Sequence, residues 1–108
     1  MLILDSEFEF EFDPEKDALN RKKHGIAFST AALVFSDPMR LERLDDSVGN
    51  TGEERWQTLG KVRKVIFVVY TERKNRTRII SARIATKAEC RSYYGHDDDN
   101  DKGWTAAN

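Results

Sequence analysis

The feature that most constrains the fold is the segment between Val65 and Tyr94, which has the pattern of a β-hairpin followed by a helix. Two runs rich in β-branched and aromatic residues flank the polar pair Lys74 and Asn75, and this arrangement is typical of two strands joined by a short turn. Thr86 is followed three residues later by Glu89, a capping box that predicts the start of a helix.

The same segment carries a strong local excess of positive charge. Between Lys61 and Arg91 the chain has ten basic residues and two acidic ones, although its net charge is −1. Such asymmetry favours a polyanionic partner. We therefore expect the hairpin and the helix to carry a surface that faces RNA.

Length and composition predict one domain with a core large enough to fold without disulfides, since 39% of the 108 residues are hydrophobic. The chain has no apolar run long enough to span a bilayer, and its first residues lack the pattern of a signal peptide, so we expect none. The single cysteine, Cys90, cannot form an internal disulfide, so we expect a cytoplasmic protein with a buried structural thiol there.

The residues before the hairpin predict one strand and two helices. Glu and Phe alternate through residues 7–12, which indicates a strand with one buried face. Asp13-Pro14 starts a helix that runs to His24 and stops at Gly25. Ser29 caps a second, short helix over Thr30–Phe35.

A weaker strand over Met39–Leu44 follows, then a loop from Asp45 to Glu54, and a strand resumes from Glu54 to Leu59. The last residues, 95–108, are predicted to be a disordered acidic tail. Their alternating aspartates faintly suggest a calcium loop, but Lys102 stands where that loop needs glycine. Without metal-ligand spacing or a glycine-rich phosphate loop, we expect no metal and no cofactor.

Seven short stretches of the chain together form a specific pattern through their order and separations. They are residues 12–16 (Phe-Asp-Pro-Glu-Lys), 20–25, 34–38 (Val-Phe-Ser-Asp-Pro), 54–60 (Glu-Arg-Trp-Gln-Thr-Leu-Gly), 69–73 (Val-Tyr-Thr-Glu-Arg), 78–83 (Arg-Ile-Ile-Ser-Ala-Arg) and 89–94 (Glu-Cys-Arg-Ser-Tyr-Tyr). In this order they resemble the BrnT family of toxins from bacterial type II toxin–antitoxin pairs. The resemblance covers roughly residues 10 to 94, and Phe12 stands where the family often has tryptophan.

The resemblance implies a single α+β domain over residues 1–94 with a RelE-like fold, followed by the tail. The expected order is β-α-α-β-β-β plus a C-terminal helix, with a bent antiparallel sheet and the helices on one face. It also implies an endoribonuclease that inhibits translation by cutting RNA. The implied partner is a ribbon-helix-helix antitoxin of the BrnA type, which covers the toxin and binds operator DNA.

RNA cleavage without a metal needs a base for the 2′-hydroxyl, an acid for the leaving oxygen, and cationic donors for the charge that grows on the phosphate. Arginine suits the last role because its guanidinium binds phosphate through two nitrogens. We expect Arg55, Arg73, Arg83 and Arg91 to converge on one side of the sheet. Arg83 alternates with an apolar face, so it belongs to a site or to an ion pair, and we favour the site.

Proton transfer would then fall to Glu54, His24, Lys64, Tyr93 or Tyr94. Each has a structural alternative: Glu54 as a surface ion-pair partner, and the Lys23–His24 end of the first helix as compensation of its dipole. Tyr93 and Tyr94 point about 100° apart on a helix, so only one of them can face a site. The candidate catalytic residues are Glu54, Arg55, Arg73, Arg83 and Tyr94. The candidate RNA-binding residues are Lys23, His24, Lys64, Arg78 and Arg91.

Two other functions fit the same basic surface. One is a nucleic-acid-binding module without catalysis. The other is a regulatory protein whose positive surface exists to bind an antitoxin segment. Substitutions that separate cleavage from binding would distinguish the enzyme from the binding module.

Overall fold

The computed structural model describes residues 2–5, 8–45, 53–95 and 102–108, and these residues form seven strands and three α-helices. The strands are β1 Leu2–Asp5, β2 Phe8–Glu11, β3 Leu41–Asp45, β4 Arg55–Val62, β5 Lys64–Arg73, β6 Arg76–Ile84 and β7 Thr105–Ala106. The helices are α1 Pro14–His24, α2 Phe28–Ala32, which continues as a 3-10 turn over Leu33–Ser36, and α3 Lys87–Tyr94.

All seven strands belong to one sheet in the order β1-β2-β6-β5-β4-β3-β7. The predicted α+β class is confirmed, but the predicted order lacks β1, β7 and one of the four strands between α2 and α3. The sheet is mixed and not wholly antiparallel, because β2 pairs in parallel with β6. Parallel strands cannot be joined by a tight turn and need a long connection. Between β2 and β6 this connection consists of α1, α2 and the strands β3, β4 and β5.

The sheet has a separate apolar core on each face. Successive side chains of β5 point alternately into one core and into the other. Ile66, Val68 and Tyr70 face α1 and α2, where they join the larger core. Val65 and Phe67 face the other way and pack with residues of α3 and with Trp104. The prediction that the helices share one face therefore holds for α1 and α2 but is wrong for α3.

Capping residues determine the helix ends, and the observed caps of α1 and α3 are those that the sequence predicts. The Asp13 side chain accepts a hydrogen bond from the Glu15 amide, and Gly25 ends α1 with a φ of 74°. The predicted capping box of α3, between Thr86 and Glu89, is present with both hydrogen bonds. Helix α2 differs from the prediction, since it starts at Phe28 and the carboxylate of Asp17 accepts a hydrogen bond from the Phe28 amide.

The C-terminal residues 102–108 pack on the domain, so the prediction of a disordered tail is wrong for them. Trp104 is only 5% exposed and meets the Phe67 ring edge-on, with the ring centroids 6.4 Å apart. Strand β7 pairs with β3, and the Asn108 amide donates to the backbone carbonyl of Asp37. Burial of one large aromatic ring outweighs the polar composition that suggested disorder. Residues 96–101, with the aspartates of the suggested calcium loop, and residues 46–52 of the predicted loop lie outside the described residues.

Asn20 fastens α1 to the centre of the sheet. Its buried side-chain amide donates to the carbonyls of Ile26 and Ala82, each at 2.9 Å, and its oxygen accepts from the Ala82 amide at 3.2 Å. These three bonds satisfy backbone groups of a strand edge and of a helix exit that are both shielded from water. Asn20 is therefore a structural residue of the fold, although the sequence singled it out only as part of a family motif.

We expect Asn20→Ala to lower the free energy of unfolding by roughly 2–4 kcal/mol, because it leaves several buried backbone groups without a partner. Urea denaturation of the purified variant measures this loss. Lys22→Ala, at an exposed position of the same helix, is the matched control and should change stability by about 0.5 kcal/mol or less. Equal stability of the two variants would contradict this role.

Candidate functional site

Several arginines lie on the side of the sheet where α3 packs, and we give the name arginine face to four of them: Arg55, Arg73, Arg78 and Arg83. Along β5, Phe67, Thr71 and Arg73 alternate onto that side. Arg83 is the cross-strand partner of Phe67, and Arg78 is the partner of Thr71. On β4, Arg55 is next to Trp56, whose partner Tyr70 faces the opposite side.

A β-bulge in β6 brings Arg78 and Arg83 onto the same face. Tyr70 pairs with Ile79 and Val69 pairs with Ser81, so Ile80 is the extra residue of the bulge. In a regular strand, residues five positions apart point to opposite faces. The extra residue reverses that parity, as bulges do when they redirect a side chain.

The arginine face is a stripe and not a single cluster. From Phe67, opposite Arg83, to Arg73 is six residues of β5, or about 20 Å at 3.3 Å per residue. Helix α3 and Trp104 cover the Phe67 end, while Val69 in the middle is only partly buried. The uncovered part of the stripe therefore has the form of a basic track on which an extended polyanion could lie.

Each of three arginines on this face contacts a carboxylate. Arg73 lies 2.9 Å from Glu53, Arg78 lies 3.9 Å from Glu11, and Arg83 lies 2.8 Å from Glu89. Exposed pairs such as Arg73 with Glu53 are worth only about 0–1 kcal/mol. An arginine in such a pair can exchange its carboxylate for a phosphate at little cost.

Arg83 is the most firmly held of the four. Its two terminal nitrogens donate to the two carboxylate oxygens of Glu89, at 2.8 and 3.0 Å. Its guanidinium also lies over the Phe67 ring, 4.0 Å from the centroid. The prediction that Arg83 belongs to a site or to an ion pair is answered in part, because the pair exists and lies on the arginine face.

Glu89 has its pKa held below the ordinary value of 4.5. Burial acts to raise the pKa, but the hydrogen bonds from Arg83 and from the Thr86 amide, with the charge of Arg83, outweigh it. Glu89 thus stays ionised beside Arg83, and it caps α3 at the same time.

The carboxylate that reaches the arginine face from the start of β4 is that of Glu53. Hydrogen bonding from Arg73 is the main cause that lowers the pKa of Glu53. The predicted candidate Glu54 is exposed, and its backbone carbonyl accepts a hydrogen bond from the Thr71 hydroxyl at 2.6 Å. The sequence does not show which of the two adjacent glutamates faces the arginines. Alternation of side chains between the two faces of a strand would separate them, but β4 begins only at Arg55.

The predicted tyrosines lie at the other end of the sheet. Tyr94 is 48% exposed, and the Lys61 ammonium lies 5.4 Å from its ring. Lys61 is the cross-strand partner of Val65, and Val65 is eight residues from Arg73 along β5. At 3.3 Å per residue, Lys61 therefore lies about 26 Å from Arg73. Tyr93 donates its hydroxyl to Asp37 at 2.5 Å, and burial with the Asp37 bond raises its pKa well above the ordinary value of 10.

The remaining predicted RNA-binding residues are spread over three places. Lys23 and His24 are exposed at the end of α1, across the sheet from the arginine face, where they line a shallow cleft with Ile80. Lys64 is exposed at the start of β5. Arg91 is exposed on α3 and lines a cavity beside the C-terminal residues.

The sequence reasoning missed the acidic partners of the arginines, Glu11, Glu53 and Glu89. The sequence indicates Glu89 only as a helix cap, and it places Glu11 on the face of the first strand opposite the buried phenylalanines. Cross-strand pairing of β2 with β6, which brings Glu11 to Arg78, has no signal in the local pattern of either strand. The register of β2 with β6, once known, is sufficient to find the contact between Glu11 and Arg78.

Within the described residues, no group of three or more His, Cys, Asp or Glu side chains is arranged to hold a metal ion. In the same part of the chain, no helix has the length and apolar character that crossing a membrane requires.

Comparison with known proteins agrees with this architecture. A family model described as "Ribonuclease toxin, BrnT, of type II toxin-antitoxin system" matches residues 12–89. The crystal structure of the Brucella abortus ribonuclease toxin BrnT has a TM-score of 0.52 and 19% identity to this chain, and the match covers 72% of this chain and 96% of that one. At that identity the likeness shows the fold. No curated protein matches the chain.

The small α+β domain, with the family match over most of its length, places this chain among the ribonuclease toxins of type II toxin–antitoxin systems. More specifically, the chain belongs to the BrnT family.

We expect the stability that Glu89 provides to depend on pH. Because the folded-state pKa is lowered, the contribution is complete above the unfolded value near 4.5 and is lost as the pH falls through the folded value. Glu89→Gln should therefore lower the free energy of unfolding at pH 7, and the gap to the parent should shrink as the pH falls below 4.5. Urea denaturation at pH 7 and at an acid pH below 4.5 measures this gap. A gap of the same size at both would show that the carboxylate charge is not what stabilises the fold.

Proposed function

We propose that this chain is a metal-independent endoribonuclease that inhibits translation in the bacterial cytoplasm, with the arginine face as the surface on which RNA is bound and cut. The observation that carries the proposal is the placement of Arg55, Arg73, Arg78 and Arg83 on one face of the sheet. Membership of a family of ribonuclease toxins supports the reaction class.

In the proposed reaction the 2′-oxygen of the RNA loses its proton to a base and attacks the adjacent phosphorus, the bond from phosphorus to the 5′-oxygen breaks, and the 5′-oxygen takes up a proton and leaves as a hydroxyl. Charge grows on the non-bridging oxygens as the attack proceeds. Arg55, Arg73 and Arg78, around Thr71, would donate to these oxygens and supply charge that other nucleases obtain from a metal ion. The phosphate would replace the carboxylates that now contact Arg73 and Arg78.

A carboxylate on the same face is the natural acceptor of the 2′-hydroxyl proton. Glu53 contacts Arg73, and its carboxylate is ionised at neutral pH. When the phosphate takes the place of Glu53 on Arg73, the hydrogen bond that lowers the pKa of Glu53 is lost, and the carboxylate becomes a stronger base. Glu54, the candidate from the sequence, is its immediate neighbour. We propose Glu53 as the base and retain Glu54 as the comparison, because the two differ only in their position at the start of β4.

We expect the purified protein to cleave RNA in the presence of EDTA, and Arg73→Ala to slow that cleavage by about 10²–10³, since one donor to the developing charge is lost. Glu53→Gln should slow cleavage more than Glu54→Gln does. The measurement is the single-turnover rate on a labelled oligoribonucleotide, with RNA affinity measured in parallel.

The control is Lys22→Ala on α1, which removes one charge from the opposite side of the sheet. Thermal unfolding of each variant checks that the fold is intact. If cleavage and RNA affinity fall together in every variant, the chain is a nucleic-acid-binding module and not a nuclease. Cleavage that EDTA abolishes would contradict metal independence.

The partner we propose is an antitoxin of the BrnA type, a ribbon-helix-helix protein that covers the toxin and brings it to operator DNA. Its support is the family itself, because type II systems pair a toxin protein with an antitoxin protein. A small gene for such a protein beside the gene for this chain would agree with the proposal. The chain alone is not expected to bind operator DNA.

We expect expression of this chain alone to arrest bacterial growth, and co-expression with the adjacent antitoxin gene to restore it, because the antitoxin covers the surface that binds RNA. Growth after induction measures both effects. The Arg73→Ala variant should be far less toxic and should still co-purify with the antitoxin if its fold is intact. Arrest that persists with the antitoxin present would rule out this partner.

A further inference from the structure

A second basic site lies between α3 and the C-terminal residues. A cavity of about 200 Å³ opens there, and Arg43, Arg91 and Lys102 contribute three positive charges to its lining. Thr86, Ser92 and Trp104 also line it. The carboxylate in the lining belongs to Glu89, which Arg83 already neutralises through two hydrogen bonds. The lining therefore has a net positive charge.

The walls of this cavity are held in place by specific contacts. The Arg43 guanidinium lies over the Trp104 ring, 4.1 Å from the centroid. The same guanidinium donates to Gln57 at 2.7 Å and to the Lys102 carbonyl at 2.8 Å. Trp104 is itself buried against Phe67. The cationic lining is thus organised by folding and does not depend on a ligand to form.

The size of the cavity limits what can occupy it. Pockets that enclose drug-sized ligands measure roughly 300–1,000 Å³, and this one is smaller. It has room for a phosphate group with its hydration, with hydroxyls at Thr86 and Ser92 available as donors. A whole nucleotide chain would have to continue outside it.

The cavity adjoins the arginine face through a shared residue. Glu89 lines the cavity and also holds Arg83 at the end of the stripe. An RNA strand that lies on the stripe would therefore meet the cavity next as it passes the start of α3. Arg91, Lys102 and Trp104 lie beyond residue 89, where the family match ends.

From these contacts we propose that the cavity is a phosphate-binding subsite for the RNA strand outside the scissile position, built in part by the C-terminal residues 102–108. The proposal rests on the proposed function, since it deepens the binding of the same substrate. Arg91 and Lys102 contact the phosphate, and Arg43 with Trp104 positions the wall against which it lies.

The test is binding of a short oligoribonucleotide whose 2′-oxygens are methylated, so that it cannot be cleaved. Arg91→Gln and Lys102→Gln should each weaken its affinity roughly three- to tenfold at low salt, and each should lower the slope of log affinity against log salt by about one. Lys87→Gln is the matched control, because it removes the same charge from an exposed position of the same helix and does not line the cavity. It should leave affinity unchanged.

The outcomes separate this proposal from the proposed function. If Arg91→Gln and Lys102→Gln bind as Lys87→Gln does, the subsite is refuted, even where the parent cleaves RNA. If the two variants lose affinity while the parent shows no cleavage, the subsite stands and the nuclease proposal fails. Inorganic phosphate, followed by the Trp104 indole resonance, should bind at least about tenfold more weakly than the oligonucleotide. Equal affinity would assign the cavity to free phosphate and overturn the RNA subsite.

Discussion

The carboxylate of Glu89 is the contact on which the arrangement of the site depends. It accepts a hydrogen bond from the backbone amide of Thr86, the N-cap residue of α3. It also accepts hydrogen bonds from the two terminal nitrogens of Arg83, at the end of β6. One ionised group therefore fixes where the strand ends, where the helix starts and how the guanidinium is oriented. Because α3 covers the second core of the sheet, the same contact joins the stability of that core to the geometry of the arginine face.

Local signals predicted the parts of the fold whose stability is local. The hairpin of β5 and β6, the Asp13 cap of α1 and the capping box of α3 were all readable, because turn and cap chemistry acts within a few residues. The bulge at Ile80 was not readable. Simple alternation places Arg78 with the apolar residues of β6, and only the register with β5 shows that it lies beside Thr71 on the same face as Arg83.

The contacts that connect distant parts of the chain were beyond local reasoning. Glu53 contacts Arg73, and Glu11 contacts Arg78. The local sequence around these residues contains no signal for either contact. The acidic composition of residues 95–108 predicts disorder, whereas the burial of one ring, Trp104, against Phe67 packs residues 102–108 on the domain. Composition averages over a segment, but packing is decided by individual side chains. Arg91 and Lys102 acquire a shared role only because that ring packs where it does.

The parallel pairing of β2 with β6 has a consequence for the synthesis of this chain. Phe10, fully buried in the finished fold, lies in a strand whose pairing with β6 can form only after nearly all of the later strands have left the ribosome. Contacts between such distant segments close late, because the intervening loop must first be ordered. A nascent or prematurely ended chain that lacks β6 has Arg55 and Arg73 but not Arg78 and Arg83, so its arginine face is incomplete. We expect the ability to harm the cell to appear only when translation of the chain is almost complete, which leaves the interval of its own synthesis for a partner to arrive.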